Sequence, residues 1–381
     1  MWLPLLFVGT AIVFLAMTGM TLWHLRWVRR LPALDVLPPA KISTRCSVVI
    51  AARDEEVRIE QTIRRLLEQR GVELEIIVVD DRSIDRTGEI LGRLAREDAR
   101  IRIKHVDELP EGWLGKCHAC HVGDSAATSD WILFTDADCW LTPDMVARAI
   151  RLAELEGVDH VTLASGLATM TPGLRASHLL FLMSTANWFA AANRDRLKGG
   201  LGFGAFNLVR TPAYRQCGGY EALRLTVLDD VRLGLLLRRA GKRTRGFIGG
   251  DDVECHWGTS AWSAVKLMEK NCFAALDYRT GLVLGLLISM VLFLVIIVLG
   301  LFSGTFVGLA AALSPFLLVL PGAILARRLG WPWHYALLIP FMFPLSYYTL
   351  YNSAWKTLRQ GGIRWRETFY PLETLRAGNV Q

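Results

Sequence analysis

The chain has 381 residues, 52% of them hydrophobic, with a formal net charge of +7 and a mean hydropathy of +0.30; that is too apolar for one soluble domain and places part of the chain in lipid. The basic excess comes without a helix-turn-helix, a zinc finger or an aromatic RNA-binding signature, so nucleic acid is excluded as a partner, and juxtamembrane arginines facing anionic lipid account for it. Seven cysteines, an odd number scattered through a segment expected to be cytoplasmic, predict free thiols and no disulfide.

Residues Trp2 to Trp23 are apolar and uncharged, close to the roughly 20 residues that span a bilayer, and Arg26, Arg29 and Arg30 follow. The pattern predicts a retained membrane helix over residues 1–25 with its C-terminal end inside. A cleaved signal peptide is the competing reading, but it would carry positive charge ahead of a shorter apolar core. Residues 26–44 read as a juxtamembrane linker, Pro-containing from Leu31 to Pro39.

The β-branched run Cys46 to Ala52 predicts a buried parallel strand. Arg53 to Gln69 predicts a helix, with Val57, Ile63, Leu66 and Leu67 on one face and Asp54, Glu55 and Glu56 in its first turn, where the helix dipole favours acids. Glu75 to Asp81 is a second strand ending in two carboxylates, and a helix restarts at Ser83 and runs to about Arg96. Strands at Ile101–Val106, Trp131–Thr135 and His160–Ala164 complete an alternation that predicts an α/β, doubly wound, mostly parallel sheet. Ligands of such sheets bind beyond the carboxyl ends of the strands, where Asp80, Asp81, Asp136 and Asp138 all fall.

From Gly281 the composition turns apolar. Gly281 to Phe302 and Thr305 to Ala326 predict a tight transmembrane hairpin, while His334 to Trp355, interrupted by Pro340 and Pro344, reads as a kinked span, a re-entrant segment or an interfacial helix. The organisation expected is a transmembrane helix (1–25), a linker (26–44), a cytoplasmic domain (45–280), a membrane region of two to three helices (281–355) and a basic tail (356–381). That is a multi-pass protein of the cell inner (cytoplasmic) membrane.

The chemistry concentrates in Thr135-Asp136-Ala137-Asp138, where a strand delivers two carboxylates to its own end. A divalent cation bound to a diphosphate needs hard oxygen ligands of that kind close together. Taken alone the triplet reads equally well as solvated loop carboxylates. It gains meaning from its company, in order: Ser47 to Glu56, Val79-Asp80-Asp81-Arg82-Ser83-Ile84-Asp85, Asp136-Ala137-Asp138 and Leu228-Asp229-Asp230.

This ordered set, spanning roughly Cys46 to Tyr278, resembles the family-2 inverting glycosyltransferases. The resemblance implies a GT-A-like nucleotide-sugar domain and an activity of hexosyltransferase type. Asp81 would contact the nucleobase, with Ala51, Arg53 and Asp54 lining the same pocket. Asp136 would face the nucleotide-sugar, and Asp138 would ligate Mg2+ or Mn2+. Asp229-Asp230 stands where the family usually has Glu-Asp, and Asp230 would be the general base. Bland readings stand beside these: turn formation and capping for Asp80 and Asp81, and an acidic first helical turn for Asp229 and Asp230.

Gly199 to Arg210, with Gly204 at its centre, followed by Gly218-Gly219-Tyr220, resembles the acceptor-side segment of the family. Glu111-Gly112-Trp113-Leu114-Gly115-Lys116 resembles the branch acting on lipid acceptors, which includes hopanoid- and carotenoid-associated and ceramide-type enzymes. Lys116 would then ground the donor phosphates. Cys117-His118-Ala119-Cys120-His121 has the spacing of haem attachment, but it opens a predicted helix in a cytoplasmic segment and reads as helix packing. The Gln-x-x-Arg-Trp motif of processive members is absent, which leaves His256 and Trp257 as residues closing the site and favours single transfer.

The implied reaction moves one sugar from a nucleoside-diphosphate sugar to a hydroxyl of a membrane lipid or polyisoprenoid acceptor. The alternatives are a polyprenyl-phosphate acceptor, a processive polysaccharide synthase and an inactive membrane scaffold.

Overall fold

A computed structural model of the chain describes residues 2–38, 44–169, 171–196 and 198–380. Residues 39–43 of the expected linker lie outside the described residues. Two compact units are present, one made of Met1–Trp27, Thr169–Asn187 and Trp257–Arg376, the other of Val28–Ala168, Trp188–His256 and Ala377–Gln381.

In chain order, helix α1 (Leu3–Leu25) precedes β1 (Arg45–Ala52), α2 (Ile59–Leu67), β2 (Glu73–Asp81), α3 (Thr87–Glu97), β3 (Ile101–Val106), α4 (Gly115–Ser125), β4 (Trp131–Phe134), β5 (Cys139–Leu141), α5 (Met145–Glu156) and β6 (His160–Leu167). Then come α6 (Pro172–Ala192), β7 (Asn207–Arg210), α7 (Thr211–Gln216), α8 (Asp229–Arg239) and β8 (Thr244–Cys255). The chain ends with α9 (Ala261–Leu267), α10 (Asn271–Ala275), α11 (Thr280–Phe302), α12 (Phe306–Leu313), α13 (Val319–Arg328), α14 (Ile339–Gln360), a hairpin of β9 (Gly362–Trp365) and β10 (Thr368–Pro371), and α15 (Leu372–Ala377).

The second unit is built on one eight-stranded sheet in the order β3-β2-β1-β4-β7-β6-β8-β5. Strands β1 to β4 pair in parallel, as do β6 and β8, while β7 runs antiparallel to both its neighbours and β5 antiparallel to β8. The apolar runs of β1 and β2 are covered on both faces: Val48, Val49, Ile50, Ile76, Ile77, Val78 and Val79 are all buried, as an inner parallel strand demands. The register sets Ala52 beside Asp80 and Asp80 beside His105, so the acidic end of β2 emerges at a common strand edge.

Four expectations need correction, three of them in the sheet and its loops. The helix predicted from Arg53 begins only at Ile59, because Asp54 adopts a left-handed backbone (φ 54°) that no helix can continue. Strands β5, β7 and β8 were not expected. And the cysteines are not all free: Cys139 and Cys255 are direct partners across β5 and β8 and form a disulfide, leaving Cys46, Cys117, Cys120, Cys217 and Cys272 as thiols. Cross-strand register, not residue spacing, brings that pair together.

Arg29 and Arg30, read from the sequence as facing lipid, instead pair with Glu156 (2.9 Å) and Asp252 (3.1 Å). Buried Arg148 completes the anchor, donating to the carbonyls of Leu31 (2.8 Å) and Pro32 (2.9 Å) and to Asp252 (3.2 Å). The first residues of the linker are thereby fastened to the sheet unit.

In the first unit, Leu3–Leu25, Thr280–Phe302 and Phe306–Arg328 are each long and apolar enough to cross a membrane. The hairpin between the last two is tight because Gly300 and Gly308 face each other: a Cβ on Gly300 would meet the Gly308 carbonyl at 2.5 Å, the close backbone approach that small residues allow between membrane helices. The Phe14 ring lies 4.9 Å from that of Phe293. Of the prolines in the last apolar run, Pro340 occupies the first turn of α14 and Pro344 its interior.

Candidate active site

The strand ends carry the chemistry. After β4 the chain is pinned on both sides: the Thr135 N–H donates to the Val49 carbonyl (3.3 Å) and its hydroxyl to the Ala205 carbonyl (2.8 Å). The Asp136 N–H then donates to the Gly204 carbonyl (3.0 Å). A Cβ at Gly204 would lie 2.5 Å from Asp136 Oδ2, so any larger residue here displaces the Asp136 carboxylate.

The Gly204 N–H in turn donates to Asp230 Oδ2 (2.8 Å), and Val231 N–H to Asp230 Oδ1 (2.8 Å). Gly204 thus ties the carboxylate after β4 to the one opening α8. From α4, the Lys116 ammonium reaches Asp136 Oδ1 at 2.7 Å and Asp229 Oδ2 at 3.6 Å. Burial disfavours the Lys116 charge, yet Asp136 and Asp229 outweigh it and hold the pKa well above the usual value. Asp230 is pushed up to about 6, first by burial and then by the charge of Asp229, with Lys116 opposing.

Asp138 is also pushed up to about 6, by burial and by the charge of Asp136. Its carbonyl accepts from the His256 N–H (3.4 Å), and His256 Nε2 is buried without a hydrogen-bond partner among the described residues. Asp138, crowded by the charge of Asp136, offers hard carboxylate oxygens of the kind a divalent cation takes, and the charge of such a cation would offset that of the pair. Arg58, which the sequence reading passed over, opposes the rise of the Asp138 pKa.

The nucleotide-side residues form a second group. Asp54 and Ser83 stitch the loops after β1 and β2 together: Asp54 N–H donates to Ser83 Oγ (3.1 Å), and Ile84 N–H to Asp54 Oδ1 (2.9 Å). Arg53 lies 3.9 Å from Asp54, and Ala51 pairs with Val79 in the ladder. Asp81 is buried and grips Arg82 through two bonds of 2.8 and 3.1 Å; a Cβ on Gly115 would stand 2.6 Å from it. That contact gives a physical role to the second glycine of the Gly-Trp-Leu-Gly-Lys element. Asp80 accepts from the Ser83 N–H (3.2 Å), the turn-forming role expected as its alternative.

Trp257 belongs to the other unit, where its ring meets His178 (6.2 Å) and Phe181 (6.2 Å). Cys117 and Cys120 are buried in α4, with the Cys117 thiol on the Thr226 carbonyl (3.4 Å). Tyr220, grouped from the sequence with the acceptor-side glycines, instead donates its hydroxyl to Asp229 Oδ2 (2.9 Å).

Residues 47–218 match the sequence profile of the family described as Glycosyl transferase family 2. Similar curated proteins include 4,4'-diaponeurosporenoate glycosyltransferases from Staphylococcus haemolyticus, 29% identical over 59% of this chain and 60% of that protein, and from Staphylococcus aureus, 28% identical over 49% of this chain and 50% of that protein. The chain therefore spans between half and three-fifths of the length of these relatives. In fold it is similar to a mannosyltransferase from Pyrobaculum calidifontis solved in complex with GDP-Man and Mn2+, with a TM-score of 0.58, 16% identity, and coverage of 94% of this chain and 99% of that one. Residues 47–218 thus carry a match to Glycosyl transferase family 2, on a sheet similar in fold to that of a GT-A glycosyltransferase, joined in sequence to three helices long and apolar enough to cross a membrane.

Proposed function

We propose that the protein transfers one sugar from a nucleoside-diphosphate sugar to a hydroxyl of a membrane lipid, with inversion at the anomeric carbon. The observation that carries this reading is the convergence of Asp136, Lys116, Asp229 and Asp230 around the Cβ-free position of Gly204.

Asp230 is the general base. Two backbone N–H groups fix its carboxylate, and a pKa of about 6 leaves it charged at neutral pH yet basic enough to take a proton from an acceptor hydroxyl. Lys116 offsets charge gathering on the departing diphosphate. Asp138 would hold Mg2+ or Mn2+; such a cation neutralises diphosphate charge when bound. Ala51, Arg53, Asp54 and Asp81 line the nucleotide side.

The bound GDP-Man and Mn2+ of the mannosyltransferase neighbour support the donor and cation classes, and the names of the Staphylococcus relatives support a polyisoprenoid-like acceptor. Residues 1–25 and 281–355 anchor the chain in the cell inner membrane, and the arginines after α1 favour 45–280 on its cytoplasmic side, where the Cys139–Cys255 pair is an exception to the rarity of disulfides in that compartment.

The test is to incubate purified full-length protein in detergent with Mn2+, common nucleotide-sugars and a lipid extract, and to read the lipids by mass spectrometry. Lipids heavier by one hexose support the reading. A ladder of hexose additions, or no transfer from any donor, overturns it.

A further inference from the structure

Behind the carboxylate cluster runs a chain of buried hydrogen bonds whose purpose the reaction above leaves open. Arg215 Nη1 donates to Asp124 Oδ1 (2.6 Å), Tyr214 donates its hydroxyl to Asp124 Oδ2 (2.5 Å), and the Tyr220 N–H donates to the Tyr214 hydroxyl (2.8 Å). The last link is the Tyr220 hydroxyl on Asp229 Oδ2. Asp124, Tyr214, Tyr220 and Asp229 are all at most 4% exposed. The chain is rigidly seated: Gly219 has φ +53° and presses on Tyr214, where a Cβ would fall 2.6 Å from Cζ. Phe134, the last residue of β4, packs on both tyrosine rings at 5.2 and 4.8 Å.

The two neighbouring aspartates are held by different means. Asp230 is fixed by backbone N–H groups, whereas the described hydrogen bond to the Asp229 side chain comes from Tyr220, and the same oxygen faces Lys116 at 3.6 Å. We propose that Tyr220 is a positioning residue of the transfer reaction: its hydroxyl holds the Asp229 carboxylate where it steers Lys116 onto Asp136 and stays apart from Asp230. The proposal rests on the transfer activity stated above.

Without the hydroxyl, a buried carboxylate oxygen loses its donor, a costly state. Asp229 relieves it either by drawing Lys116 toward itself and away from Asp136, or by taking a proton. The charged groups acting on Asp230 are Asp229 on its own helix, Lys116 from α4 and Asp136 from the end of β4. Both forms of relief make Asp230 a weaker base, because one removes a neighbouring negative charge and the other screens it.

The experiment is a double-mutant cycle of Tyr220→Phe and Asp229→Asn in the full-length protein, with thermal melting to compare folding and kcat followed from pH 5 to 8. Tyr220→Phe alone is expected to lower kcat about tenfold, the scale of a hydrogen bond to a charged group, and to shift the acidic limb of the profile to lower pH. In the Asp229→Asn background the same change is expected to cost less than about twofold. An equal loss in both backgrounds, or an unmoved limb, overturns the positioning role while the transfer activity stands. A wild-type chain that transfers nothing overturns both.

Discussion

The Lys116 ammonium and the Asp136 carboxylate meet at 2.7 Å, twenty residues apart in sequence and brought together because the first turn of α4 lies at the strand ends where β4, parallel to β1, delivers Asp136. With Asp229 on its other side, Lys116 bridges the acidic motif after β4 and the one opening α8. Replacing it with Ala should therefore lower kcat by about 10²–10³-fold, as for removal of a preorganised charge donor. Lys116→Arg should recover little, since a planar guanidinium does not substitute for a point charge between two carboxylates. Steady-state rates with a saturating donor check this, and an Ala variant within about threefold of wild type would contradict it.

Gly204 is a tight steric point of the cluster. Gly204→Ala places a methyl against the Asp136 carboxylate, which must leave its place on Lys116 or push the loop that donates to Asp230. Transfer should drop at least about a hundredfold, while stability falls by only about 1–3 kcal/mol, the usual scale of overpacking. Paired rate and melting measurements separate the two effects.

His160 gives the sheet a pH dependence unrelated to catalysis. It is fully buried between Thr244 Oγ1 (3.1 Å) and Asn207 Oδ1 (2.7 Å), and burial lowers its pKa from 6.5 to about 4. Below pH 6.5 the unfolded chain binds a proton that the folded chain refuses, so stability falls as pH drops from 6.5 toward 4. The full loss is on the order of 3 kcal/mol. Melting temperatures across this window should fall steeply in wild type and less in His160→Gln.

The disulfide makes a count that mass spectrometry reads directly. Alkylation of the denatured, unreduced protein should add five groups, one for each of the five free thiols, and all seven cysteines should react after reduction. Cys139→Ser should lower the melting temperature, by an amount matching about 2–4 kcal/mol for so long a closed loop. Seven adducts without reduction would contradict the pairing.

Much of this was legible in the sequence where local composition decided the outcome. The β-branched runs of β1 and β2 and the apolar run of β4 announce buried inner strands, and each is followed or ended by its acidic residues. Strand β8 was not legible because Gly246, Gly249, Gly250, Asp251, Asp252 and Glu254 interrupt any apolar pattern; its pairing with β6 includes register shifts at Ala164 to Gly166. Gly246 is required there because a Cβ would strike Leu201 and Phe189, a constraint set by distant residues. Likewise Cys139 and Cys255 are separated by 116 positions and meet only through strand register. Tyr220 had a weak signal, a hydroxyl-bearing aromatic after Gly-Gly and nine residues before Asp229, but its partner is fixed by tertiary packing.

The central claim is that Asp230 removes a proton from an acceptor hydroxyl. The most direct measurement is the pH profile of kcat for wild type and Asp230→Asn with the lipid acceptor identified by mass spectrometry. The account predicts a wild-type rate that rises through about pH 6 and an Asn variant that is nearly inactive at every pH. Substantial, pH-independent turnover by Asp230→Asn would contradict it and point to an acceptor that arrives already ionised.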